Sequence, residues 1–416
     1  MAGLRPAAEM KDSGIEWVGK IPSNKEVVRN KYYFHLTKGK IPSSQNSEGK
    51  GVPYIGASEL DSNCCRNYTE DDTVPVCNKD DVLILWDGAR AGLVGTGKNG
   101  AISSTVVKCV FANNVYPSFG YWYFKGFEHY FAEQVHGTTI PHMNTRYIED
   151  IGFINWSIKE QQAIAAFLDG RCAKIDELIA ETAAGIAEYK ELKQAVIFEA
   201  VTQGLDKNVP LKDSGVEWIG DIPEGWIVKR FKYVATVNAN LVSPEDYLDY
   251  RQIAPDCIEK DSGRLIKERT VSEAGVESWN QLFHKGQLVY SKIRPILNKI
   301  IIAPYDGLCS ADMYPLDVIE DIAFVQKAML SRYFVEQVGL ITQDRVKMPK
   351  INKEELANIL MAIPPRNEQI QIVEYLNSRM AEIDEVIDEK QTLIDDLKAY
   401  KKSLIYEVVT GKRRVG

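Results

Sequence analysis

Two long stretches of the chain carry the same hydrophobic rhythm. One begins KEQQAIAAFLDGRCAKIDELIAE at Lys159 and the other NEQIQIVEYLNSRMAEIDEVIDE at Asn367. Apolar side chains fall at Leu168, Cys172, Ile175, Ile179, Ile186, Tyr189 and Val196, then again at Leu376, Met380, Ile383, Ile387, Ile394, Leu397 and Leu404. With Thr182, Lys193, Lys390 and Lys401 filling the gaps, the spacing alternates four and three. That is a heptad seam, and charged residues fill the outer positions. Ser157-x-x-Glu160 is a capping box for the first helix, Pro364-Pro365 marks the start of the second, and Gly204 and Gly411 are stops. Each helix should run about forty residues, roughly 60 Å at 1.5 Å per residue. Neither seam can remain in water. The expectation is that the two pair with each other, antiparallel, through Leu168, Ile175, Ile179, Ile186, Leu376, Ile383, Ile387, Ile394 and Leu397.

The stretches between the helices have a different pattern. Asp81-Val-Leu-Ile-Leu-Trp86, Thr105-Val-Val-Lys-Cys-Val-Phe111 and Gly286-Gln-Leu-Val-Tyr-Ser291 are short apolar runs bounded by turn residues, and read as strands. Phe119 to Gln134 and Ile322 to Val338 each read as one amphipathic helix. The chain is also written twice. MKDSGIEWVGKIPSNKEVVRNKY at Met10 returns as LKDSGVEWIGDIPEGWIVKRFKY at Leu211, with about thirteen of twenty-three positions identical. Pro141-His-Met-Asn144 returns as Pro349-Lys-Ile-Asn352. Trp17 and Trp218 are expected to anchor a turn, and Ile-Pro to force an extended exit. The fold class is α+β: two mixed α/β domains separated by two long antiparallel coiled-coil helices, with an internal pseudo-two-fold repeat. The boundaries are 1–24 (conserved segment), 25–157 (first mixed domain), 158–205 (central helix), 206–224 (repeated segment), 225–365 (second mixed domain) and 366–416 (C-terminal helix).

Composition narrows the class. The 416 residues are 45% hydrophobic, enough for more than one sizeable core. No run of eighteen apolar residues is present and the N-terminus lacks a signal-peptide core, so the expected location is cytoplasmic and no membrane partner is expected. Seven cysteines without a C-x-x-C pair, and five histidines without ligand spacing, read as free thiols and no metal site. The net charge of −8 argues mildly against a free-standing DNA binder, although a local basic patch is compatible with it.

Three partial matches to nucleotide-binding and catalytic motifs fail on their context. Gly95-Thr-Gly97-Lys-Asn-Gly100 fits G-x-G-x-x-G, but another strand follows where a dinucleotide site needs a helix. The same loop nearly matches a phosphate-binding P-loop, except that Asn99 stands where Ser or Thr would hold magnesium. Pro255-Asp256 with Glu259-Lys260 resembles a nuclease signature with a spacer residue missing. The tetrapeptide that an amino-methyltransferase requires is absent. The chain therefore reads as non-catalytic.

The two KDSG-x-EW-x-G-x-IP blocks, the paired EQ-x-x-I-x-x-(F/Y)-L starts at Glu160 and Glu368, and the helix ends at Glu199 and Glu407 resemble the specificity subunits of type I restriction-modification systems. The resemblance covers almost the whole chain. It implies two target recognition domains, each reading half of a split asymmetric site in double-stranded DNA, with the helices acting as a ruler of at most about two DNA turns at roughly 34 Å per turn. It implies two methyltransferase subunits as partners, and two motor-nuclease subunits in the restricting complex. No cofactor is expected on this chain; S-adenosylmethionine, ATP and magnesium belong to those partners.

Reading residues should come from polar loops of the mixed domains, since Arg and Lys suit guanine edges and phosphates while Asn and Gln suit adenine. The candidates are Lys38, Lys40, Arg90, Lys98, Asn99, Thr138 and Asn144 in the first domain, and Lys292, Arg294, Asn298, Lys299, Gln343, Arg345 and Lys347 in the second. Asn144 also sits in a repeated frame, which favours a structural role. The competing readings are a coiled-coil scaffold without DNA recognition, and a specificity subunit for a fused modification-cleavage enzyme.

Overall fold

A computed structural model describes residues 3–415 apart from 62–64, 97, 134–142, 144–147, 149–151 and 346. The long helices run Ile158–Gln203 and Arg366–Val409, 46 and 44 residues, somewhat longer than the seam alone predicts. The first begins as the capping box requires: the Ser157 amide donates to the Glu160 carboxylate at 2.9 Å, and the Glu160 amide donates back to Ser157 Oγ at 3.4 Å. Gly204 and Gly411 follow the two ends with φ of 72° and 77°.

The chain divides into two compact units. One comprises 1–183 with 392–416, and the other 184–391, so each contains a mixed domain and part of both long helices. In the first unit, Leu168, Cys172 and Ile175 are buried in one cluster with Leu404, Ile405, Val408 and Val409, and Ile179 and Leu397 pack against it. In the second, Ile197, Ala200 and Val201 are buried with Ile372, Leu376, Met380 and Ile383, and Ile387 packs against them. Ile186 and Ile394 are buried as well. Burying each such side chain fully contributes about 1.5–3 kcal/mol.

The lysines in the seam find partners across it. Lys193 Nζ lies 2.6 Å from Asp384, while Lys390 Nζ sits over the Tyr189 ring at 5.6 Å. Advancing along one helix means retreating along the other, so the pairing in this unit is antiparallel. In the first unit the same two repeat positions exchange helices, and Lys401 Nζ lies 2.7 Å from Asp176.

One sheet of each mixed domain has the same strand order in both units. In the first unit a four-stranded sheet runs Phe34–Lys38, Val106–Phe111, Val82–Leu85, Val94–Thr96; in the second it runs Ala235–Val237, Met313–Val318, Leu288–Ser291, Ile300–Ile302. A second four-stranded sheet accompanies each, with one parallel pair in it. The two predicted single helices are each divided in two: Pro117–Gly126 and Glu128–Glu133, then Ile322–Leu330 and Arg332–Thr342. A break of one residue leaves the apolar period almost intact, so periodicity does not register it. At Ser331 the backbone is extended, with φ −74° and ψ 149°.

The repeated DSG block forms the same small hairpin twice, Met10–Asp12 with Lys20–Pro22 and Leu211–Asp213 with Asp221–Pro223. Asp12 accepts the Gly14 amide at 2.9 Å and Ser13 Oγ reaches the Ile15 carbonyl; Asp213 accepts the Gly215 amide at 2.8 Å and Ser214 Oγ reaches the Val216 carbonyl. Trp17 stacks on Tyr130 at 4.5 Å, and Trp218 packs against the second core. The block is an anchor between helix end and domain, as its composition predicts.

Candidate nucleic-acid interface

One loop of each sheet has a counterpart in the other unit. In the first unit Ile84 pairs with Val94, and in the second Tyr290 pairs with Ile300, with the same number of residues between the partners. The register therefore equates Trp86 with Lys292, Gly88 with Arg294 and Gly92 with Asn298. A hydrogen bond supports this match. The Met143 amide donates to the Trp86 carbonyl at 3.1 Å, and the Ile351 amide to the Lys292 carbonyl at 3.0 Å.

Both loops pass twice through left-handed backbone. Gly88 and Gly92 have φ of 105° and 96°; Arg294 and Asn298 have 42° and 43°. Glycine reaches this region freely, whereas a Cβ opposes it. Asn298 is explained by its side chain. It is buried, and its amide donates to the Met329 carbonyl at 3.0 Å, at the end of the helix that Ser331 breaks. Asn298 is therefore corrected from a DNA-reading candidate to a structural clamp, because its side chain faces the core.

The other candidates divide by what holds them. Lys38 pairs with Asp87 at 3.7 Å, and Arg90 donates to the Ala57 carbonyl at 2.7 Å. Asn99 accepts the Lys79 amide at 2.9 Å, and Lys98 is half-buried. Lys299 donates to the Pro255 carbonyl at 2.6 Å, and Arg345 is bound to Glu355. Lys292 lies over the Tyr314 ring at 5.1 Å, where burial draws its ammonium below the ordinary lysine range and Asp312 opposes the shift. Lys40, Arg294, Gln343 and Lys347 are exposed, with no side-chain hydrogen bond or ion pair among the described residues. Thr138 and Asn144 lie outside the described residues. The repeat counterpart of Asn144, Asn352, caps the helix Lys353–Asn358.

The glycine-rich segment near Gly95 lies between strand Val94–Thr96 and strand Gly100–Ile102. Asp256 of the nuclease-like tetrad is paired with Arg269 and Lys267. The six cysteines among the described residues are free thiols. No helix among the described residues is long and apolar enough to cross a membrane.

Residues 22–186 match the type I restriction modification DNA specificity domain. The type I restriction enzyme EcoDI specificity subunit of Escherichia coli is 29% identical over 409 residues, spanning 95% of this chain and 90% of that one. Over almost its whole length the chain is similar to type I restriction enzyme specificity subunits. The MjaVIII specificity subunit of Methanocaldococcus jannaschii is 28% identical over 419 residues, covering 95% of this chain and 94% of its own. In fold, the chain also resembles a chain from a structural study of complex assembly and conformational transition of the type I R-M system, with a TM-score of 0.67 at 14% identity, covering 94% of this chain and 98% of that chain.

Sequence reasoning missed two exposed apolar residues beside the candidate cations, Ile296 and Met348. Met348 is a further non-glycine residue with left-handed backbone, at φ 49°. No residue pattern signals such a conformation in advance.

Proposed function

We propose that the chain reads a split, asymmetric DNA site, one half-site per unit, and recruits two copies of a methyltransferase subunit through its repeated helix surfaces. Motor-nuclease subunits join the same assembly in its restricting form, and the chain contributes recognition rather than chemistry. The supporting observation is that the two units repeat one frame while their equivalent loops differ in chemistry. Trp86-Asp87-Gly88 stands in one where Lys292-Ile293-Arg294 stands in the other. A repeated frame offers one partner two equivalent surfaces, and unlike loops select unlike base edges.

Single-molecule methylation mapping of a host genome tests this, with the cognate methyltransferase present and this chain present or absent. A split adenine-methylated motif that depends on the chain is the expected result. No new motif, with the methyltransferase expressed and bound, would favour a scaffold without DNA recognition.

A further inference from the structure

In the second unit the loop after strand Leu288–Ser291 is tied to the segment before Asn352. The Arg294 amide donates to the Pro349 carbonyl at 2.7 Å, Ile293 bridges Lys350, and Lys350 Nζ lies 2.9 Å from Asp312. These bonds bring Arg294 beside Met348, and both residues hold left-handed backbone. Strain of this kind persists where the surrounding structure imposes it, and it concentrates at binding sites. At the equivalent of Arg294 the first unit has Gly88, so the frame itself accepts glycine. The strained arginine makes no side-chain hydrogen bond or ion pair among the described residues, whereas the side chain of the strained Asn298 makes one. Met348 and Ile296 are each 51% exposed on the same loop pair, and Lys347, which has no ion pair among the described residues, adjoins Met348. An apolar side chain held out among cations matches the wedge that DNA-binding proteins press against or between base steps.

We infer that this loop pair is the DNA-contact edge of the second unit, with Arg294 as its specificity-determining contact and Met348 as an apolar wedge against the bases. The inference rests on the proposed half-site reading and deepens it. A guanidinium on a guanine edge forms two parallel hydrogen bonds, and Lys347 then meets phosphate. Among the described residues of the first unit the equivalent loop differs: Gly88 stands at the Arg294 position, Arg90 is bound to Ala57 and Asp87 faces Lys38.

Glycine substitution provides the test, because it keeps the backbone conformation and removes only the side chain. Arg294→Gly and Met348→Gly are expressed separately in the full chain with the cognate methyltransferase, and genomic methylation is mapped alongside wild type. Thermal melting of each purified variant checks folding. The expected result for Arg294→Gly is an unchanged or raised Tm, and discrimination at one base pair of one half-site reduced by roughly 5- to 150-fold. The other half-site should be unaffected. Met348→Gly should lower methylation of the same half-site without relaxing its sequence. Retention of wild-type motif and occupancy by both folded variants would overturn the inference. Loss of specificity in the opposite half-site would also overturn it. Absence of any chain-dependent motif in wild type would instead remove the half-site reading, and the inference with it.

Discussion

At the residue scale, two side chains four positions apart in one loop have opposite fates. Asn298 turns inward and its amide holds a helix-terminal carbonyl, while the exposed Arg294 side chain has no partner among the described residues. Asn298→Ala should therefore cost about 2 kcal/mol, since it leaves a buried acceptor unpaired and keeps a Cβ in left-handed backbone. Urea unfolding of the full chain checks this, and the methylated motif should not change. A second residue-scale case is Glu355. Hydrogen bonding from the Arg345 guanidinium holds its carboxyl below the ordinary glutamate range, aided by the Asn352 amide and opposed by burial. A depressed folded pKa means stability that is present above the unfolded value near 4.3 and lost as pH falls below it. Glu355→Gln should lower the urea midpoint at pH 7 and narrow its difference between pH 7 and pH 4. An undiminished pH difference would assign that dependence to other carboxylates, such as Glu320 beside Lys229 and Gln369.

At the element scale, the helices explain why lysine recurs in an apolar seam. Lys193 meets Asp384, and Lys401 meets Asp176, so each cation is answered by the acid of the opposite helix. Arg264 also approaches Asp384, at 3.6 Å. Reversing Asp384 to Lys alone would gather three cations and should destabilise by about 1 kcal/mol or more. The exchange Lys193→Asp with Asp384→Lys should recover part of the loss, leaving the residue due to Arg264. A double-mutant cycle in thermal melts measures the recovery, and simple additivity would show that the pair does not couple. Helix length yields a separate prediction. Removing one heptad from each helix shortens it by about 10 Å, equivalent to about three base pairs at roughly 3.4 Å each. The unread spacer of the methylated motif should contract while both half-sites persist. An unchanged spacer would sink the ruler reading.

At the scale of the whole molecule, the repeat organises the chain in sequence and in packing. Each unit joins one mixed domain to the start of one long helix and the end of the other, and each closes on the same Asp-Ser-Gly hairpin. In the first unit Tyr406 donates to the Trp17 and Val18 carbonyls, and Trp156 donates to the Val409 carbonyl. In the second, Trp226 donates to Glu368 and packs near Gly204. The tryptophan is supplied from a different place in each unit, yet it occupies the same kind of junction between a helix start and a helix end.

Sequence alone determined the helices, their seam, their caps and the doubled plan, because those features follow from local periodicity and literal repetition. Leu168 and Leu376 are legible as core because a heptad admits few alternatives. The strand order that one sheet of each mixed domain shares was not legible, since those strands share a register without sharing residues. Nor were the breaks at Phe127 and Ser331, which a helical period carries across. The polar loops could be named as candidates, but only tertiary structure sorted them. Whether an Asn or an Arg in a loop faces the core or the solvent depends on the backbone of residues distant in the chain, here Met329 and Pro349, and no local pattern encodes that contact.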